Sequence, residues 1–97
     1  MDAHTTFQTE HGKRYLGTLC KHFGHKIPVQ LDGDTGRIDF SFGHCKLKAD
    51  DTSLVLNVSA GNQANLDKAV QVITSHLERF AFRENPQLNW QPTPGAD

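Results

Sequence analysis

The feature that most constrains this chain is a change in the spacing of its apolar residues on either side of the stretch 27–60. Within this stretch apolar and polar side chains alternate, which is the pattern of β-strands with one buried face. Before and after it, apolar residues recur every three or four positions, as they do in amphipathic helices. Turn-forming residues divide the alternation into four runs, at 27–31, 38–42, 45–49 and 54–60. The pattern therefore predicts four antiparallel strands between two helices.

The two helices differ in how clearly their ends are marked. The first is predicted over residues 10–23, and Gly24 follows it as a C-terminal glycine. Its apolar face carries Tyr15, Leu16, Leu19, Cys20 and Phe23. The second begins after an N-cap at Asn62 or Asn65, ends before Pro86 and spans about five turns. Its apolar stripe consists of Leu66, Ala69, Val70, Ile73, Leu77 and Phe80.

Gly43 and His44 form a plausible two-residue turn between the second and third predicted strands. This turn puts Phe42 opposite Cys45 and gives the hairpin one apolar face. The same register predicts pairs on the outer face between Ser41 and Lys46, Asp39 and Lys48, and Arg37 and Asp50. Two of these pairs join opposite charges, so the apolar pattern and the charge pattern agree.

Each helix has one apolar stripe and the sheet has one apolar face, so burial is satisfied when both helices cover that face. The predicted fold is an α+β two-layer sandwich, a four-stranded antiparallel meander with two helices on one face, in the order α-β-β-β-β-α. A short fifth strand is placed over 88–91, on a sheet edge. We expect one domain over residues 1–97, with an ordered core at 9–91 and loose ends at 1–9 and 93–97.

Composition and charge argue against two classes of partner, nucleic acids and membranes. Ten Lys and Arg against eleven Asp and Glu give a net charge of −1, which lacks the basic excess of nonspecific nucleic-acid binders. The outer strand face also lacks the outward aromatic rings on which RNA bases stack. No apolar run reaches the roughly 18 residues of a membrane span, and the start of the chain does not resemble a signal peptide. The sequence therefore predicts a cytoplasmic protein without nucleic-acid or membrane partners.

The predicted topology gathers possible ligands at one end of the sheet. These candidate binding residues are Cys20, His22, His25, His44 and Cys45. A transition metal is conceivable there, with Cys20, His25, His44 and Cys45 as ligands, although the sequence requires no cofactor and the spacing is not that of a zinc finger. The alternative is that both cysteines are small buried apolar residues and that His22 and His25 face the negative pole of the first helix. His11 and His76 are predicted to lie too far away.

Enzyme motifs are absent from the sequence, since it contains no phosphate-binding glycine loop, GxSxG or HExxH. An enzyme is therefore the less favoured hypothesis. Phe82 lies opposite the apolar stripe of the second helix, with Arg79 and Arg83 nearby. It indicates either a partner surface or, in the favoured interpretation, a helix end covered by the tail 88–90.

Several segments together resemble a known bacterial family. They are RYL at 14–16, LCKHF at 19–23, HK at 25–26, GRIDF at 36–40 and HLERFAFRE at 76–84. In this order they resemble the domain of unknown function 2218 family, over about residues 9–90. The resemblance implies a small bacterial protein, and it implies a link to iron or siderophore handling because similar domains occur fused to flavin-dependent siderophore-interacting reductases. The chain has no room for the flavin domain, so no catalytic residue is carried over.

Three functional hypotheses follow. The first is a non-catalytic binding or accessory module that works at the Cys20, His25, His44 and Cys45 end. The second is a structural homodimer formed through an exposed sheet edge or through the Phe82 and Trp90 region. The third is a small thiol-dependent enzyme, which would need a cysteine of depressed pKa.

Overall fold

The computed structural model describes residues 1–93 and consists of two helices packed on a six-stranded sheet. The elements are β1 (Asp2–Gln8), α1 (Gly12–Gly24), β2 (Val29–Asp32), β3 (Thr35–Phe40), β4 (Gly43–Ala49), β5 (Ser53–Ser59), α2 (Gln63–Phe80), a 3₁₀ turn (Phe82–Glu84) and β6 (Gln91–Pro92). All neighbouring strands are antiparallel, in the order β2-β3-β4-β5-β1-β6. The predicted α+β class is confirmed, whereas the four-stranded sheet is corrected to six strands.

The first strand occupies residues that the sequence predicted to be loose. β1 pairs with β5 along its whole length, with Thr5 opposite Leu56 at its centre. Its inward side chains are Ala3, Thr5 and Phe7, and only the last of these is large and apolar. Small and hydroxylated inward residues give a weak alternation signal, so the predicted core of 9–91 begins too late.

A two-residue strand, β6, pairs with β1 at the far edge of the sheet. The strand predicted over 88–91 is therefore shorter and shifted towards the C-terminus. Trp90, just before it, donates a hydrogen bond from Nε1 to Thr74 Oγ1 at 2.8 Å, which fixes this segment against α2. Of the end predicted to be loose, Thr93 bonds through its N–H to β1, and 94–97 lie outside the described residues.

The predicted turn at Gly43 and His44 is wrong. The chain turns at Ser41 and Phe42, and β4 already begins at Gly43. A Cβ atom on Gly43 would lie 2.5 Å from the carbonyl oxygen of Ser59, so glycine is needed here because β5 approaches closely. A glycine that permits close strand packing was thus interpreted as a turn glycine.

Moving the turn by two residues changes every cross-strand partner but leaves each side chain on its predicted face, because side chains alternate with a period of two. Ile38 lies opposite Cys45 in the core, and Arg37 lies opposite Lys46 on the outer face. Arg37 pairs with Asp39 on its own strand, with Nε 2.9 Å from Oδ1. The predicted pairs that the structure replaces are Phe42–Cys45, Ser41–Lys46, Asp39–Lys48 and Arg37–Asp50.

The second helix follows its local sequence signals closely. Asn62 is its N-cap, and its side-chain oxygen accepts a hydrogen bond from the Asn65 N–H at 2.9 Å. The helix contains 18 residues, which is the predicted five turns, and ends before Pro86. These features were predictable because a cap and a proline act within a few residues of their own position.

The helices cross one face of the sheet in opposite directions. Tyr15, near the start of α1, meets Glu84 just beyond α2, whereas Phe23, near the end of α1, contacts His76. Between helices and sheet lies the core, whose fully buried side chains include Leu16, Leu19, Ile38, Leu54, Leu56, Ile73 and Leu77. In the part of the chain that is described, neither helix is long and apolar enough to cross a membrane. The other side of the sheet, which we name the open face, carries Arg37, Lys46, Lys48 and Asn57.

Candidate functional site

The two predicted cysteine ligands lie inside the core. Cys20 is 3% exposed and Cys45 0%. Burial raises the pKa of the Cys20 thiol, and burial together with the neighbouring Cys20 raises the pKa of Cys45 to about 12. Both thiols are free and stay protonated at neutral pH, so they pack as small apolar side chains and are poor nucleophiles.

The three predicted histidines point to different parts of the molecule. His44 lies beside the inward Cys45 on β4 and therefore points to the open face, where burial and then Arg37 lower its pKa. His25 is exposed just beyond α1. His22 is also exposed, but on the side of α1 that faces α2. The five predicted residues are thus distributed over the core, the open face and the helix surface.

Residues 1–93 contain no group of three or more His, Cys, Asp or Glu side chains placed to hold a metal ion. The metal predicted for Cys20, His25, His44 and Cys45 would need side chains that lie on both sides of the sheet. It stays a prediction without geometric support in this structure.

The structure instead places His22 against His76, with ring centroids 4.9 Å apart. The sequence argument excluded His76 as lying at the far end of its helix. This placement is wrong because α1 lies alongside only the last turns of α2 and the segment that follows, so the end of α1 reaches His76. The two histidines belong to a row of rings between the helices, which we name the interhelix ladder. From the β3–β4 turn to the end of α2, its members are Phe42, Phe40, Phe23, His76, His22 and Phe80.

Positive charge surrounds this ladder. Partial desolvation of its ring lowers the pKa of His22, and the basic side chains around it lower this pKa further. These neighbours are His76, Lys26, Arg79 and His25. At the other end, Lys68 Nζ lies 4.6 Å from the ring centroid of Phe42, in cation–π geometry. Although the whole chain has a net charge of −1, this side of the molecule is locally basic.

A cleft of about 430 Å³ opens next to the ladder, between α1 and the segment that follows α2. We name it the arginine cleft, and it is lined by Arg14, Tyr15, Thr18, Phe80, Phe82 and Arg83. Neither of its two guanidinium groups forms an ion pair with a carboxylate of residues 1–93. Phe82 is 69% exposed, so the interpretation that the tail 88–90 covers it is wrong. The cleft combines two free cations with accessible aromatic surface.

A partly buried hydrogen-bond anchor holds the wall of this cleft. The Tyr15 hydroxyl donates to one carboxylate oxygen of Glu84, and Thr9 Oγ1 donates to the other at 2.7 Å. Burial and then Glu84 raise the pKa of Tyr15, while the Tyr15 hydrogen bond lowers the pKa of Glu84. The pair therefore remains phenol and carboxylate at neutral pH. Asn85 ends the 3₁₀ turn in the left-handed region, with φ of 49°. This anchor sets the position of Arg83.

Sequence reasoning found Phe82 and His22 but missed the partners that make this surface. Contacts between α1 and the end of α2 join residues more than fifty positions apart, so no local spacing reveals them. A usable signal existed in the second helix, where His76 and Phe80 are one turn apart on the same side.

Comparison with known proteins agrees with the fold. Residues 4–91 match the model of a family described as "Uncharacterized protein conserved in bacteria (DUF2218)". The fold is similar to the NMR structure of PA4090 from Pseudomonas aeruginosa, with a TM-score of 0.81 and 33% sequence identity, over 94% of this chain and 95% of that chain. No match is found among curated proteins. Because the family match covers residues 4–91, which include both helices and all of β2 to β5, the chain belongs to the DUF2218 family of bacterial proteins.

Proposed function

We propose that this protein is a non-catalytic binding module that holds an anionic ligand with a planar apolar body in the arginine cleft. The observation that carries the proposal is the pair of unpaired guanidinium groups, Arg14 and Arg83, beside the rings of Phe80 and Phe82. Guanidinium groups bind carboxylates and phosphates through two parallel hydrogen bonds. Exposed aromatic rings add contact area for a flat ligand.

The surroundings of the cleft support an anion rather than a neutral ligand. Phe80 belongs both to the arginine cleft and to the interhelix ladder, so the basic neighbours of His22 lie on the same side of the molecule as the cleft. Their combined field raises the local concentration of anions and weakens as salt is added. Arg83 also lies 5.8 Å from the ring centroid of Phe82, which keeps a cation next to the exposed ring.

The resemblance to domains fused to siderophore-interacting reductases supplies a finer version of this proposal. A catecholate siderophore carries planar rings, and its ferric complex is an anion, which matches the two chemical features of the cleft. Of the predicted binding residues, His22 adjoins the cleft through its ring contact with Phe80, and His25 is exposed just beyond α1. Cys20, His44 and Cys45 are not used, because two of them are buried and the third points to the open face.

Calorimetric titration tests the proposal with 2,3-dihydroxybenzoate, an aromatic carboxylate, and its neutral amide as a matched probe. We expect saturable binding of the carboxylate, with at least tenfold weaker binding of the amide. Arg83→Gln and Arg14→Gln should each weaken the affinity for the carboxylate by at least tenfold, since a hydrogen bond to a charged group contributes about 1.5–3 kcal/mol. Lys48→Gln makes the same charge change on the open face and should leave the affinity within twofold. Equal binding of acid and amide, or equal loss in all three variants, would contradict the proposal.

A second function, structural homodimerisation, is favoured by a different observation. Within residues 1–93, β2 is an edge strand that pairs only with β3, and its Leu31 is 54% exposed. An exposed edge with an apolar side chain is a template for pairing with a second copy. Light scattering at increasing concentration should then give a dimer that Leu31→Lys returns to a monomer. A wild-type protein that remains monomeric at millimolar concentration would eliminate this function.

A further inference from the structure

We infer that the open face of the sheet holds a second binding site, for a small polyanion that carries two or more carboxylate or phosphate groups. The site is centred on Arg37, Lys46 and Lys48. It lies on the side of the sheet away from the arginine cleft, so it is independent of the proposed function above.

The β3–β4 register places two basic side chains directly opposite each other at this site. Arg37 lies directly opposite Lys46 on the open face, because Ile38 and Cys45 next to them point into the core. Like charges directly opposite each other on adjacent strands destabilise a sheet. Lys48 is on the same face, two residues beyond Lys46. The fold therefore retains a costly arrangement that a bound anion would relieve.

The neighbouring carboxylates neutralise this charge only in part. Asp39 accepts a hydrogen bond from Arg37 Nε, which leaves the two terminal nitrogens of the guanidinium available. Asp32 lies at the rim, opposite Thr35. Neither Lys46 nor Lys48 forms an ion pair with another residue between positions 1 and 93.

The side chains around the charge pair can donate further hydrogen bonds. Gln30, Arg37, Lys46 and Asn57 lie in one row across four strands, β2 to β5. Adjacent strands are about 4.8 Å apart, so the row offers donors at regular short intervals. The same four residues line a depression of about 390 Å³. A ligand with several anionic groups can engage more than one of these donors at once.

The chemistry of the lining argues for a compact polyanion rather than RNA. The depression is lined by Gln30, Asp32, Thr35, Gly36, Arg37, Lys46, Leu47, Lys48 and Asn57. This lining contains no aromatic ring on which a base could stack. The ligand is therefore recognised through its charged groups alone.

Binding of tripolyphosphate and of citrate, at low ionic strength, tests this inference by titration of backbone amide NMR signals. We expect saturable shifts at Arg37, Lys46 and Asn57 with at least one of the two probes, and the stronger probe distinguishes a phosphate site from a carboxylate site. Lys46→Gln should weaken binding by at least tenfold, and Lys21→Gln on α1 is the matched control that should change it less than twofold. Without ligand, Lys46→Gln should raise the melting temperature, because it removes the repulsion from Arg37.

Asn57→Asp provides a second test, since it places a carboxylate directly opposite Lys46 and should also abolish binding. The inference is overturned if neither probe gives saturable shifts, if the shifts map to the arginine cleft, or if Lys46→Gln and Lys21→Gln weaken binding equally. Tighter binding of a single-stranded RNA than of both probes would also overturn it. Because Lys46 and Asn57 lie on the open face, a negative result in these tests would not contradict the proposed binding in the arginine cleft.

Discussion

The cysteine pair and the arginine cleft lie on the same side of the sheet, yet they differ in exposure and in charge. Cys20 and Cys45 pack in the core, where burial keeps both thiols neutral. In the cleft, Arg83 stays charged beside a ring that is 69% exposed. Residue types that are reactive in isolation contribute only packing in the first region, whereas common surface residues form an exposed, positively charged cleft in the second. Burial and unpaired charge, more than residue type, therefore distinguish the two regions.

The largest loss of stability is expected when a methyl group is added next to Cys20 in the core. A Cβ atom on Gly36 would lie 2.8 Å from Cys20 Sγ and 2.9 Å from Leu16 Cδ1. Gly36→Ala should therefore lower the free energy of unfolding by about 1–3 kcal/mol, as overpacking does in well-packed cores. Urea unfolding measures this change.

Gly17→Ala is the matched control, because the site is within α1 and the added Cβ would meet nothing within 4 Å besides its chain neighbours and the backbone of that helix. It should raise stability by about 0.5–1 kcal/mol. No loss of stability in Gly36→Ala would show that the interior around Cys20 is not tightly packed, and an equal loss in Gly17→Ala would show that overpacking is not the cause.

Alkaline pH gives the next largest effect. The pKa of Cys45 is raised from its ordinary value near 9 to about 12 in the folded protein, so the unfolded chain releases this proton first. The contribution to stability is complete below pH 9 and is lost as the pH rises towards 12, by up to about 1.4 kcal/mol per pH unit. Unfolding of wild type and Cys45→Ala at pH 8 and pH 10 measures the difference. Identical pH slopes for both proteins would mean that the thiol is not shielded from water.

The anchor between the two regions should have an intermediate effect. Tyr15→Phe removes the hydroxyl that donates to Glu84 and should cost about 0.5–1.5 kcal/mol of stability. Tyr15→Phe should also weaken the binding of 2,3-dihydroxybenzoate, because the wall of the cleft that carries Arg83 is no longer fixed. Thr18→Ala is the control. Thr18 lines the same cleft but does not belong to the anchor, so this substitution should leave the free energy of unfolding nearly unchanged. If Tyr15→Phe binds 2,3-dihydroxybenzoate as tightly as wild type, the anchor is not needed for binding in the cleft.

The smallest effect on stability is expected at the cleft itself. Arg14→Gln and Arg83→Gln should each change the free energy of unfolding by no more than about 0.5 kcal/mol, because neither arginine is in an ion pair. Thermal unfolding without ligand measures the change in stability, and its shift when ligand is added measures the change in binding. A large loss of stability would indicate that the two arginines stabilise the fold. The cleft would then not differ from the cysteine pair in the core in this respect.

Sequence analysis predicted the parts of this fold that depend on nearby residues. The second helix was predictable from its apolar stripe, its cap at Asn62 and Pro86 beyond its end. The faces of the strands were predictable too, because a shift of two residues preserves the alternation. The turn position was not, since Gly43 satisfies a close contact with Ser59 from another strand.

The candidate site was less predictable because its contacts are not local. The ring contact of His22 with His76 depends on how the two helices cross, and the anchor joins Tyr15 to a residue beyond the second helix. The exposure of Phe82 depends on where the tail runs, and Trp90 fixes that tail against α2 instead. These arrangements follow from tertiary packing, which a periodic pattern does not encode.

The most direct test of the central claim is the location of a bound aromatic anion on the helix side of the molecule. Nuclear Overhauser contacts between the ring protons of 2,3-dihydroxybenzoate and the protein measure this at saturating ligand. The account predicts contacts with Phe80 and Phe82 that disappear in Arg83→Gln. Contacts confined to other residues, or none at saturation, would contradict it.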